Sequence, residues 1–184
     1  MALWIILIIL VLIVGFVISV YNGLVRSKMN VENAWSQIDV QLQRRYDLIP
    51  NFVETVKGYM SHEKETLEKI TELRTSWANA KSVNDKINLD NEISSTLKTI
   101  MAVSENYPEL KANENFMKLS EELTNTENKI SFSRQFYNDT VTIYNTKLQA
   151  FPSNIIAGMF NFTRSELFKT DEASRQNVKV DFWN

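Results

Sequence analysis

The 184-residue chain has no cysteine, one histidine, three prolines and four glycines. Without cysteine there are no disulfides and no thiolate metal sites. The lone His62 opens the run His62-Glu63-Lys64-Glu65-Thr66, which lacks the second histidine of H-E-x-x-H. The paired Glu-x-x-His ligand sets of di-iron bundles cannot be built from one histidine either. There is no glycine-rich phosphate loop and no G-x-S-x-G nucleophile turn. A Ser/His/Asp triad would have to use His62, and nothing near it supports one. The net charge of −2, with no basic run, leaves no electrostatic footprint for nucleic acid. These absences argue against an enzyme, against a metal or other cofactor, and against a nucleic-acid partner.

What the sequence does have is an apolar start, MALWIILIILVLIVGFVISV. Ala2 to Val20 is interrupted only by Gly15 and Ser19 and carries no charge. As a helix it is about 28 Å long, close to the hydrocarbon thickness of a bilayer. No basic residue precedes it and no A-x-A pattern follows it, so it does not read as a cleaved signal. Residues 1–21 are therefore expected to form a transmembrane anchor. Arg26 and Lys28 follow the span, which places the N-terminus outside and the body in the cytoplasm. Trp4 and Tyr21 stand at opposite ends, where headgroup-level aromatics belong. The span inflates the hydrophobic content of 44%. The remainder falls to about 38%, low for a globular domain but suited to helices that bury a narrow seam.

The rest of the chain keeps a helical beat. Val31, Trp35, Ile38 and Leu42 are spaced by three and four, as are Ile49, Phe52, Val56 and Tyr59, and then Leu67, Ile70, Leu73 and Trp77. Pro50 lies inside this pattern, and Gly58 and Ser61 offer a second break, with Ser61 a candidate cap for a helix at His62-Glu63. Residues 22–81 thus form one kinked helix or two helices meeting near residue 60. The beat stops at Lys81-Ser82-Val83-Asn84 and resumes near Asp85 with Ile87, Ile93, Leu97 and Ile100. It breaks again at Glu105–Tyr107, and Pro108 is placed to start a long helix that stops at Phe151-Pro152. If every loop reverses the chain, an even number of passes returns residue 150 to the membrane side; if residues 106–108 are only a kink, the four passes become three and it does not return. Beyond it, Ile155, Ile156, Met159, Phe160 and Phe162 crowd together, either at the membrane interface or packed back on the bundle. Residues 171–184 read as a mobile polar end.

Two stretches carry a family resemblance: VENAWSQIDVQLQRRYDLIPNFVETVKGYMSHE (31–63) and TENKISFSRQFYNDTVTIYNTKLQAFPSNIIAGMF (126–160). With the N-terminal span they resemble the LemA family of bacterial membrane proteins over nearly the whole chain. The resemblance implies one transmembrane helix, an elongated antiparallel helical bundle in the cytoplasm, and no particular activity. Asn161-Phe162-Thr163 matches the glycosylation sequon, which has little meaning in a bacterial family.

Within these stretches, Arg44, Arg45 and Asp47 interrupt the apolar seam. Glu127, Arg134, Asn138 and Asn145 recur at spacings of seven, four and seven on one helical face. They are either a buried polar ladder that fixes helix register or the lining of a pocket; a narrow bundle favours the ladder. Trp35, Tyr46, Trp77, Tyr137 and Tyr144 lie on or beside the seam, as core or as an oligomer contact. The expected architecture is all-α: an anchor (1–21), an antiparallel long-helix bundle of four-helix type (22–152) and a C-terminal tail (153–184). The expected role is a non-enzymatic scaffold or adaptor at the cytoplasmic membrane that self-assembles. The alternative is an accessory or sensor subunit that binds another membrane protein.

Overall fold

A computed structural model describes residues 1–60 and 62–168. All the regular structure among them is helical: α1 (Ala2–Lys57), α2 (Lys64–Asn79), α3 (Val83–Ser104), α4 (Pro108–Lys111), α5 (Glu114–Gln149) and α6 (Ser153–Met159). The capping role of Ser61 and the reading of 171–184 lie outside the described residues. The chain divides into two compact units. One comprises residues 1–41 and 129–167, the other 42–128 with Phe168. α1 and α5 contribute to both.

In the second unit, the choice left open for residues 22–81 resolves to two helices. α1 ends at Lys57 and α2 folds back along it, so Tyr46 meets Trp77 with ring centroids 5.1 Å apart. α5 runs antiparallel to α1, as Arg44 pairs with Glu122 and Phe52 stacks on Phe116 at 5.7 Å. α2 and α3 complete a four-helix bundle whose core includes Ile49, Phe52, Val56, Leu67, Ile70, Ile93, Leu97, Ile100 and Leu123. Burying each such side chain contributes about 1.5–3 kcal/mol before chain entropy is charged against it.

Local chemistry sets the breaks, and two differ from expectation. α3 begins two residues earlier than its apolar beat, because Ser82 Oγ accepts the Asp85 amide at 3.0 Å and caps it. The helix expected to run from Pro108 is split. Pro108 opens only the one-turn α4. Asn113 then restarts the chain as α5, its Oδ1 accepting the amides of Asn115 and Phe116 at 2.9 and 3.1 Å. A hydrophobic beat carries no record of a cap, so neither boundary was visible in it.

Pro50 lies within α1 without ending it. Its ring removes the amide that would bond the carbonyl of Tyr46 four residues back. That carbonyl accepts from Arg74 Nε on α2 at 3.4 Å, while the guanidinium lies 4.2 Å over the Tyr46 ring. The proline frees an acceptor, and α2 docks on it.

In the first unit, α5 again runs antiparallel to α1. Lys147 Nζ donates to Ser27 Oγ at 2.7 Å, and Trp35 meets Tyr137 edge-on at 5.9 Å. The core is Leu24, Val31, Ala34 and Ile38 on α1 with Ile130, Tyr137, Val141 and Tyr144 on α5. A turn at 150–152 leads into α6. Asn161, at φ 55°, ends that helix: its own amide bonds Gly158 O at 3.3 Å and the Phe162 amide bonds Ala157 O at 3.0 Å. This is the Schellman closure, in which Asn is one of the few side chains that tolerate the left-handed position. The chain then returns along α5. Tyr144 donates to Thr163 O and Tyr137 to Glu166 O, both at 3.0 Å, and Asn145 brackets Ser165, donating to its carbonyl at 2.8 Å and accepting its amide at 3.0 Å. Residues 2–16 of α1 are exposed throughout, with Leu3, Trp4 and Leu12 among the most exposed apolar side chains.

Pro50→Ala restores the helical donor to Tyr46 O, so it should raise unfolding stability by about 1–3 kcal/mol. It should also reduce the cost of Arg74→Ala, by about 0.5 kcal/mol or more. Denaturant unfolding of the four proteins of this double-mutant cycle measures both. A cost of Arg74→Ala that is the same in either background would show that the freed carbonyl does not hold α2.

Candidate functional site

Among the described residues, Arg45 is a charged side chain buried in the core. It falls on the core side of α1 one turn after Leu42 and one turn before Ile49, where an apolar residue would continue the seam. Only 2% of it is exposed. A guanidinium without water needs partners for its donors and a counter-charge. Both come from two other helices of the same unit. On α3, Asp90 is fully buried and forms an ion pair with Arg45, its carbonyl also accepts from Nη2 at 3.3 Å, and Ser94 Oγ accepts from Nη1 at 2.7 Å. On α5, Glu127 Oε2 accepts from Nη1 at 2.5 Å and from Ser94 Oγ at 3.2 Å. Glu127 keeps about a third of its side chain in solvent.

One guanidinium therefore reads the register of α1, α3 and α5 together: a shift of α1 or α3 by a residue would leave a charge buried without its partner, and a shift of α5 would cost Arg45 its contact with Glu127. Beside it is a cavity of about 170 Å³ lined by Arg45, Ser94, Leu97, Met101, Leu123 and Glu127. That is below the roughly 300–1,000 Å³ of small-molecule sites. A larger open groove of about 610 Å³ lies between the end of α1 and α2, with Val53, Met60 and Leu67 along it and Lys57, Lys64 and Glu68 among its charged residues. Among the described residues, no three of His, Asp and Glu gather as a metal site.

The other polar residues singled out from the sequence separate. Arg44 is surface-exposed and pairs with Glu122 at 2.6 Å. Asp47 accepts from Gln43 Nε2, one turn back on α1, at 2.9 Å. Of the four on α5, only Glu127 joins Arg45. Arg134, Asn138 and Asn145 belong to the first unit. There, Asn145 holds the returning C-terminal segment, and burial pulls the Arg134 guanidinium down to about 10. Burial also pushes the phenols of Tyr137 and Tyr144 up, with the charges of Glu166 and Glu32 adding to it respectively. Both hydroxyls thus stay protonated as donors to the same segment.

Asp90 and Ser94 did not stand out in the sequence, although a signal was present. Asp90 sits three residues after Ile87 and three before Ile93, a core position of α3. An acid in that beat opposite an arginine in another seam is the pattern of a buried pair.

The C-terminal apolar cluster is only partly buried. Ile156 is buried against Leu24 and Phe162 packs beside it, whereas Ile155, Met159 and Phe160 stay about half exposed or more. On α5, Phe132, Phe136 and Ile143, spaced by four and seven, form an exposed stripe with 74%, 52% and 57% of each accessible.

Removing Arg45 alone strands Asp90. Arg45→Met is expected to cost about 3–5 kcal/mol of stability. Adding Asp90→Leu should recover part of that loss, while Glu127→Gln alone should cost only about 1 kcal/mol. Thermal unfolding of the single and double variants decides this, and strictly additive losses would rule out the coupling.

Residues 34–182 match the profile of the LemA family. The chain is 28% identical over 173 residues to Protein LemA of Metamycoplasma hominis, covering 91% of this chain and 79% of that one. It is 23% identical over 179 residues to two Paramagnetospirillum magneticum proteins, Magnetosome protein MamQ 1 and MamQ 2, covering 83% of this chain and 66% of each of theirs. One long apolar N-terminal helix that fits a single-pass membrane anchor, helices throughout the described body and a family match over most of its length agree with one another: the chain belongs to the LemA family.

Proposed function

We propose that this protein is a non-enzymatic scaffold or adaptor of the bacterial cytoplasmic membrane, anchored by residues 1–21 with its helical body in the cytoplasm, and that copies assemble side by side through α5. The observation behind the assembly is the Phe132, Phe136 and Ile143 stripe. Large apolar side chains aligned and exposed on one helix face, two of them aromatic, are the kind of surface on which association is built. The stripe belongs to the same compact unit as the anchor. Copies held by identical spans present it at one height above the bilayer, so even weak contacts gain from the high effective concentration of a shared plane. The exposed Arg26 and Lys28 just after the span support the cytoplasmic placement of the body.

Light scattering on the full-length protein in nanodiscs, with everything that co-purifies identified, tests the assembly. The expected result is a homogeneous homo-oligomer. Phe132→Asp with Phe136→Asp should convert it to monomer and change stability by no more than about 0.5 kcal/mol per site, because both positions are exposed. A monomer travelling with a different membrane protein would instead favour the accessory-subunit reading. A monomer alone would remove both.

The chain's lack of cysteine gives a clean test of orientation. Lys129→Cys, at an exposed position of α5, should react with a membrane-impermeant maleimide only after the cells are opened. Reaction on intact spheroplasts would reverse the orientation.

A further inference from the structure

α6 is short, uncharged and in an unusual place. Ile156 and Ala157 are buried against Leu24, with Val17, Val20 and Tyr21 packed around them. Phe160 and Phe162 contact the Tyr21 ring at 4.7 and 5.8 Å. Val17 to Leu24 is the last part of the apolar run and the turn that leaves it, about 10 Å of helix. α6 is thus level with the end of the span.

Its outward side is apolar. Phe151, Ile155 and Met159, each four residues apart, are 81%, 53% and 68% exposed, and Phe160 is 49% exposed. No charged residue occurs from 148 to 163. Charge reappears at the borders, all of one sign. Arg26, Lys28, Lys147 and Arg164 are exposed, and no Asp or Glu occurs in residues 1–31 or 140–165, in a chain whose net charge is −2. The first acids beyond those bounds are Glu32, Asp139 and Glu166. An apolar surface without charge, bordered by cations and set beside a hydrophobic span, matches the headgroup–acyl boundary of an anionic membrane.

We propose that α6 and its flanking turns are a second, interfacial membrane contact. Phe151, Ile155, Met159 and Phe160 enter the bilayer beside the span, and Arg26, Lys28, Lys147 and Arg164 meet anionic lipid headgroups. The proposal rests on residues 1–21 being the anchor, but not on self-assembly. The contact makes the C-terminal end of α5 a second tie to the surface, so the unit is held against tilting and rotation about a single helix.

Because cysteine is absent, one introduced cysteine reports one position. Ile8→Cys, Met159→Cys and Lys129→Cys, each in the full-length protein, are labelled with an environment-sensitive fluorophore and placed in nanodiscs of phosphatidylcholine with or without phosphatidylglycerol. Quenchers are lipids spin-labelled at deep or shallow positions, and aqueous iodide. The label at residue 8 should respond to the deep lipid quencher and the label at 129 to iodide alone. The label at 159 should respond to the shallow lipid quencher, several-fold more than to iodide, and more strongly in phosphatidylglycerol discs. Lys28→Gln with Arg164→Gln should erase that lipid preference. If the residue-8 label is quenched from within the bilayer while the residue-159 label behaves like that at 129, the anchor stands and the interfacial contact is wrong. Shielding of residue 159 from both quenchers, as under a second copy of the chain, would overturn it too. Equal quenching at 159 in both disc types would overturn the headgroup contact. Loss of lipid quenching at residue 8 would remove the anchor and the proposal together.

Discussion

The antiparallel pairing of α1 with α5 is the constraint on which the other elements depend. Both helices run through both compact units, and the remaining elements dock on them. In one unit the pairing is made by Phe52 on Phe116 and by the ion pairs of Arg44 and Arg45 with Glu122 and Glu127. In the other it is made by Trp35 on Tyr137 and by Lys147 on Ser27. The apolar seams could slide past one another by a turn at modest cost, since Leu, Ile and Val are interchangeable in shape to first order. Direction and register are held by the polar contacts, which have one solution.

Arg45 carries that logic furthest. A buried ion pair is a poor source of net stability, because desolvating both charges offsets their attraction. What it supplies is the penalty for being wrong, since any register that separates Arg45 from Asp90 leaves a charge without water or partner. The carbonyl of Tyr46 works in the same way on a smaller scale. Pro50 withdraws its helical donor, and the vacancy is filled by one side chain of α2, Arg74. In both cases a local defect of α1, a charge in its seam or a proline in its interior, becomes the address at which a later helix docks.

Several of these features were legible in the sequence. The helical class, the long apolar span and most of the core followed from spacing, because a three-and-four beat has only one regular backbone that puts it on one side; the break near residue 60 was one of two readings that spacing left open. Arg45 and Glu127 were recognisable as interruptions of an apolar face. Their meeting was not, since they are 82 residues apart and spacing speaks only for a single helix. Glu127, Arg134, Asn138 and Asn145 share a helical face, yet Glu127 answers a buried arginine while Asn145 clamps the backbone of Ser165. The extra break at Ala112–Asn113 and the early start of α3 rest on single side-chain caps, which a hydrophobic pattern does not register.

By itself the sequence determined that this chain is helical, that its first residues form an uncharged apolar helix of about the length of a bilayer's hydrocarbon core, and that no thiol or paired-histidine chemistry is available to it. Those conclusions need only composition and period, which are properties of the chain before it folds. The tertiary structure decided which polar interruptions became partners, which of the C-terminal apolar residues packed on Leu24 and which were left exposed, and that Lys147 came to stand beside Ser27 just after the span. These depend on which distant segments lie side by side, and that is settled by pairwise fit between helices, which no periodicity within one helix encodes.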